Sequence, residues 1–305
     1  METKNESSLD EFHLLGFSKG PIICSVLIAV TYAITITGNL AVFSIIHVNR
    51  HLHTPMYFFL SCLSALDVCY ATVTLPMMLV HSITGNTKIS FNRCLVQIYF
   101  FVSCGGAESL LLASMAYDRY VAICNPLRYM LIMNKKFCLG LMAGCWFLGS
   151  GNSMLHTFMT LKLTFCRGRH INHYFCDVIP ILEIACSNIH SSHVVLHVDT
   201  AVLGLSTFLI VINSYVRIIT TILKIQSSAG RRKVFSTCSA HLIVITIFYI
   251  TGSFSYNSPK SGDFLNKVRI SSILYSILPP LLNPVIYCLR NREVKMAFKK
   301  AFVKL

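Results

Sequence analysis

Residues 94–117 read CLVQIYFFVSCGGAESLLLASMAY, an apolar run in which Glu108 is the one formal charge. It is too long for a barrel strand of ~10 residues and does not alternate strictly, so a helix that closes its own backbone hydrogen bonds is the structure that can bury it in lipid. About 20 apolar residues cross the hydrocarbon core. Working outward from this run, six more segments meet that length: 22–46, 56–80, 137–161, 194–216, 238–259 and 270–289. In all seven, only Asp67, Glu108 and Asp199 carry formal charge. The composition agrees: 54% hydrophobic and 12% charged, with mean hydropathy +0.63, against roughly 25% charged in soluble domains. The expectation is an all-α membrane protein, a seven-transmembrane helix bundle forming one domain over residues 1–305.

Orientation follows from the bases. Residues 1–20 lack the apolar core of a secretory signal, so the first span must direct insertion. Sixteen of the 26 Lys and Arg fall on one side. They are Arg50; Arg119, Arg128, Lys135 and Lys136; Arg217, Lys224, Arg231, Arg232 and Lys233; and Arg290, Arg292, Lys295, Lys299, Lys300 and Lys304. Basic loops face the cytoplasm. This predicts an extracellular tail over 1–21, a bundle over 22–289 and a cytoplasmic tail over 290–305, in a multi-pass plasma-membrane protein. Asn5-Glu6-Ser7, the chain's N-glycosylation sequon, then lies outside, with Asn5 as acceptor. Four of the 13 cysteines (Cys94, Cys166, Cys176 and Cys186) also lie outside, where an oxidising lumen pairs thiols. Spacing alone leaves three connectivities open. The net charge of +14 is spread between apolar runs rather than along one basic aromatic face, so membrane lipid and a cytoplasmic partner are expected, and no nucleic acid.

At the inner end of the third span stand residues 115–129, MAYDRYVAICNPLRY. With four further blocks this resembles the vertebrate olfactory (odorant) receptors, within the rhodopsin-like G-protein-coupled receptor family. The blocks are residues 52–61, LHTPMYFFLS; Ser214-Tyr215 with Ile218-Ile219; residues 233–242, KVFSTCSAHL; and residues 280–291, PLLNPVIYCLRN. Met77, Ile250 and Arg93 depart from the pattern at points that bear on ligand preference more than on coupling. The resemblance implies a Cys94–Cys176 bridge and a second pair, Cys166–Cys186. It also implies a small-molecule odorant as ligand, a heterotrimeric G protein of the stimulatory olfactory type, a rise in cyclic AMP, and a trafficking helper as a further partner. No cofactor is expected. Span seven has no Lys for a retinal Schiff base, and no His-Glu-x-x-His, nucleophile elbow or phosphate loop marks an enzyme.

Aligned with that family, Phe101, Val102, Gly105 and Gly106 in span three, Asp199 and Leu203 in span five, Tyr249, Gly252 and Tyr256 in span six, and Ile273 in span seven are expected to wall an outer ligand pocket. Phe101 stands where amine receptors carry an acid, which argues against a biogenic amine held there. Asp199 has two readings, a ligand handle or a partner for His197 or another helix. Gly105 and Gly106 also have two, room for a ligand or close helix packing. Asp118, Arg119, Tyr120, Tyr215, Asn283, Pro284 and Tyr287 are expected to couple the bundle to the G protein. In that reading Arg119 is held inward at rest, and Tyr215 and Tyr287 move inward on opening. Asp67, Glu108 and Asn283, near Asn39, are read as a shared cation or proton site or as a neutral hydrogen-bonded network. His51, His53 and His241 are expected to bond to loops rather than to a metal.

Pro284, behind Pro279 and Pro280, predicts a kink or local unwinding near residue 280. Beyond it Val294, Ala297, Phe298, Ala301 and Phe302 alternate with bases as in a short amphipathic C-terminal helix on the membrane surface. Two readings compete. A receptor for a non-volatile metabolite differs only in expression and ligand. A transporter or channel should show inverted repeats or interrupted helices, and the sequence has neither.

Overall fold

The computed structural model describes residues 11–16, 22–166, 169–256 and 264–303. In chain order its elements are β1 (Glu11–Leu14), α1 (Ile22–Val48), α2 (Pro55–Thr84), β2 (Lys88–Ser90), α3 (Phe91–Cys124), α4 (Tyr129–Ile132), α5 (Lys135–Leu161), β3 (His170–Ile171), α6 (Val178–Ile184), α7 (His190–Asp199), α8 (Ser206–Leu223), α9 (Ser228–Tyr256), α10 (Phe264–Arg290) and α11 (Arg292–Val303). A π-helical segment, Thr200–Leu205, joins α7 to α8 in one long span. The seven expected spans are thus α1, α2, α3, α5, α7–α8, α9 and α10. Five of them are long and apolar enough on their own to cross a membrane, α5 joins them if counted with the bent segment before it, and the apolar part of α9 is shorter, Cys238–Gly252. The helices overrun the predicted bounds because charged turns such as Arg231–Arg232 and Asp118–Arg119 continue past the apolar stretch.

Helix ends are marked by local chemistry. Pro55 opens α2 at a position whose N–H would have no helical partner, and Gly85 ends it in the left-handed region at φ 66° while donating to the His81 carbonyl. Asn134 caps α5 by accepting from the Phe137 N–H at 3.0 Å. The central helix is α3, packed against α2, α5, α8 and α9. Large apolar side chains such as Leu27, Phe147, Leu155, Val202 and Leu223 remain exposed around the perimeter, the arrangement a lipid solvent calls for and water does not.

Two features differ from the sequence reading. First, the N-terminal tail contributes a strand that the sequence reading did not include: β1 pairs antiparallel with β2 and parallel with β3 in the order β2-β1-β3. Glu-Phe-His-Leu alternates with the period of a strand. It buries Phe12 and Leu14 against Ile89, Ile98, Ile171 and Ile181 in a second core above the bundle. Second, of the kink or local unwinding expected near residue 280, the unwinding does not occur: α10 stays helical through Pro279, Pro280 and Pro284. Pro284 has no N–H for the carbonyl of Pro280, and Asn39 Nδ2 of α1 supplies the missing donor at 2.8 Å. The C-terminal helix α11 forms as expected. Val294 and Ala297 are buried and Phe298 is half-buried, and the helix lies against α1 and α10.

Candidate functional site

A cavity of about 370 Å³ opens in the half of the bundle nearer the Cys94 end of α3, lined from α3, α5, α6, α7 with its π segment, α8, α9 and α10. Phe101, Val102, Gly105, Gly106, Asp199, Leu203, Tyr249 and Gly252, eight of the positions that the family resemblance pointed to, line it. Ile273 does not; two residues on, Tyr275 takes the place on α10, buried and edge-on to Phe101 and Tyr70. Tyr256 ends α9, and its side chain is outside the described residues. The two glycines have different uses. A Cβ on Gly106 would lie 3.3 Å from the Cα of Gly149 on α5, so this glycine lets the helices meet. One on Gly105 would overlap the Tyr275 hydroxyl.

The wall is mainly apolar with its polar groups on two patches. Tyr249 donates to Thr207 Oγ1 at 2.8 Å, and Thr207 also meets the Ser109 hydroxyl at 2.9 Å. Asp199 sits at the junction of α7 and the π segment, the kind of helix defect that often marks a functional site. It pairs across to α5 and not to His197, whose Nδ1 lies 2.6 Å from the His193 carbonyl. Oδ2 of Asp199 accepts from Asn152 Nδ2 at 3.1 Å and lies 3.2 Å from His156 Nε2. Asn152 and His156 were missed; their signal was a polar pair at i, i+4 on one face of an apolar span.

Above the cavity the loop that carries Cys166, Cys176 and Cys186 is bound to the bundle. The disulfides are Cys94–Cys176 and Cys166–Cys186, the pairs the resemblance implied. Gln97 accepts from the Cys176 N–H at 2.9 Å and donates to the Val73 carbonyl at 2.8 Å, and Phe175 packs on Phe101. Two titratable groups sit in this loop with opposed shifts. Burial pushes His173 down to about 4, against the hydrogen bond to the Phe175 carbonyl and with a further push from Arg269. Burial pushes Asp177 up to about 6, offset in part by the Val178 N–H it caps and by His156. Arg269 of α10 stacks on Tyr174 and donates to the Gly16 carbonyl, Asn172 and the Tyr174 hydroxyl.

At the other end of α3, Arg119 is almost fully buried and its Nε donates to Asp118 Oδ2 at 3.1 Å, with Nη2 on the same oxygen. Tyr129 of α4 donates to Asp118 Oδ1 at 2.8 Å, and burial raises the pKa of this phenol. Tyr120 is half-buried beside Arg217. Tyr215 and Tyr287 are already inside: Tyr215 lies 2.8 Å from His241 Nδ1, and the Tyr287 hydroxyl is buried without a partner among the described residues. Between the two ends Asn283 donates to both oxygens of Asp67, at 3.2 and 2.9 Å, while Glu108 Oε1 is buried without a partner among the described residues. Asn39 belongs to the Pro280 carbonyl rather than to this pair. His53 lies 3.1 Å from the His47 carbonyl. Among the described residues no group of three or more His, Cys, Asp or Glu is placed to hold a metal. A larger groove of about 1050 Å³ lies on the periphery between α3, α5 and α8, rimmed by Lys136 and Arg217.

Long apolar helices packed around α3, with a cavity at one end of it and a buried arginine at the other, make this an integral-membrane helix bundle in architecture. The olfactory receptor family model matches residues 28–305. The chain is similar to Olfactory receptor 8B8 of Mus musculus, 43% identical over 304 residues, which cover 98% of this chain and 97% of that one. It is also similar to Olfactory receptor 6Y1 of Homo sapiens, 43% identical over 304 residues covering 98% and 93%. Olfactory receptor-like protein OLF3 of Canis lupus familiaris is 42% identical over 308 residues, covering 100% and 97%. The chain belongs to the olfactory receptor family: it is a multi-pass G-protein-coupled receptor and not an enzyme.

Proposed function

We propose that this receptor is activated by a small, mainly apolar volatile molecule bound in the outer cavity, and that it drives a stimulatory olfactory-type G protein to raise cyclic AMP. The observation that carries this reading is the cavity itself, set among the helices and lined mainly by apolar groups with a few polar handles, as small-molecule sites are. A ligand that fits the open form better shifts the population toward it. Micromolar binding amounts to ~8 kcal/mol, and full switching needs ~5.5 kcal/mol of differential affinity, so partial agonists are expected to be common. The N-terminus and the disulfide-bound loop face outward, Asn5 in the undescribed tail carries the glycan, and the α11 end faces the cytoplasm beside anionic lipid and the G protein. Delivery to the surface draws on a trafficking helper.

At the inner end Arg119 leaves Asp118 on activation and lines the crevice for the G protein, with Tyr120, Tyr215, Asn283, Pro284 and Tyr287 supporting the open form. Arg119→Ala is expected to keep surface delivery and abolish the cyclic-AMP response; an unchanged response removes this role. Asp67, Glu108 and Asn283 are read as a cation or proton site that favours rest, because Glu108 keeps a buried oxygen without a partner next to an already bonded carboxylate. Basal signalling should then depend on sodium or pH, and Asp67→Asn should abolish the dependence.

A further inference from the structure

We propose that the outer cavity selects an apolar molecule carrying one hydroxyl or amine donor, which bonds to Asp199 Oδ1, and turns away carboxylic acids and ethers of the same skeleton. This rests on the outer cavity being the ligand site. Both donors of α5, Asn152 and His156, fall on Oδ2 of Asp199. A carboxylate accepts at about four lone-pair positions, so one oxygen is anchored to the wall and the other keeps its acceptor capacity. Asp199, Asn152 and His156 all line the cavity, and of the ion pair Asp199 is the more open, its side chain 20% exposed against 3% for His156. The other polar patch is turned on itself, since Thr207 receives Tyr249, meets Ser109 and donates to the Leu203 carbonyl at 2.7 Å.

The chemistry of the occupant follows. Asp199 is the only acid on the cavity wall among the described residues. A hydroxyl or ammonium placed against it gains a hydrogen bond to a carboxylate on a mainly apolar wall. An ether of equal length offers only acceptors and strips water from Asp199 without replacing it. A carboxylate brings like charge to like charge. The one histidine placed to compensate already has its Nε2 on Asp199.

The test measures binding without any G protein, by thermal stabilisation of the purified full-length receptor in nanodiscs. The probes are 1-octanol, octylamine, octyl methyl ether and octanoic acid, with the matched benzyl set. In at least one skeleton the alcohol or the amine should bind about 10–100-fold more tightly than the ether and the acid. Asp199→Asn should shrink that gap to about threefold or less. Gly252→Val, which adds side chain to the cavity where a Cβ on Gly252 meets nothing within 4 Å, should weaken every ligand that binds. An ether or acid that binds as well as the alcohol and amine overturns the proposal, as does a ranking unchanged in Asp199→Asn, or no stabilisation by any alcohol or amine. If Asp199→Asn does not fold, the wild-type ranking decides alone. If Gly252→Val weakens nothing, the ligand-site reading fails too; if it weakens all ligands while the donor preference is absent, only the present proposal fails.

Discussion

Asn39 of α1 and Pro280 of α10 stand 241 positions apart in sequence, and the Asn39 amide donates to the Pro280 carbonyl at 2.8 Å. That carbonyl is free because residue 284 is a proline, so one helix completes the ladder of another in a solvent that supplies no substitute. Asn39→Ala should lower stability by about 1–2 kcal/mol, the cost of a buried acceptor left unpaired. In a Pro284→Ala background, where residue 284 regains its N–H, the same change should cost less. Thermal unfolding of the four purified proteins reads the cycle, and an additive result removes the coupling.

Gly149 of α5 meets α3 at backbone distance. A Cβ there would lie 2.8 Å from the Ser103 carbonyl oxygen and 2.9 Å from the Ala107 nitrogen. Neither atom can swing aside, so Gly149→Ala must part the helices, at about 1–3 kcal/mol. Gly151 on the same helix faces open space, and Gly151→Ala should stay within about 0.5 kcal/mol of wild type. Equal unfolding temperatures for the two variants would remove the close contact as the reason for Gly149.

The seven spans and the acids within them were legible because burial in hydrocarbon leaves a one-dimensional record of hydropathy. What crosses between helices was less so. Asp67 with Asn283 could be anticipated from two polar groups with nowhere else to go. The partners of Asp199 could not, since pairing with Asn152 and His156 depends on how α7 and its π segment turn toward α5. Tyr275 rather than Ile273 faces the cavity for a similar reason: an alignment carries a position, and two residues reverse a helix face. The strand β1 was hidden by its length. Four alternating residues in a charged tail acquire meaning only when β2 and β3 are beside them.

Tyr129 holds Asp118 from α4, and Asp118 holds Arg119. Tyr129→Phe removes one charge-assisted hydrogen bond from that cage and leaves the ring. The resting arrangement should lose about 1.5 kcal/mol, and basal cyclic AMP, corrected for surface receptor, should rise about tenfold at most. Basal signalling equal to wild type would show that Tyr129 plays no part in restraint.

His173 and Asp177 titrate in opposite senses within one loop. For His173, folding lowers the pKa from 6.5 to about 4. The unfolded chain therefore binds more protons between those values, and this contribution is complete above pH 6.5 and fades as pH falls toward 4. For Asp177, folding raises the pKa from 3.8 to about 6. The folded chain then holds the extra proton, and this contribution is complete below pH 3.8 and fades as pH rises through 6. Each is worth about 3 kcal/mol at full extent, so in the window from about 4 to 6 they oppose each other and the loop should be nearly indifferent to pH. Asp177→Asn, which keeps an N-cap for α6, should expose the histidine and make the loop lose stability on acidification. His173→Gln should expose the carboxylate and make it lose stability as pH rises from 4 to 6. Hydrogen exchange of loop amides, corrected for the intrinsic pH dependence, reads both slopes. Two variants with slopes of the same sign would refute the opposition.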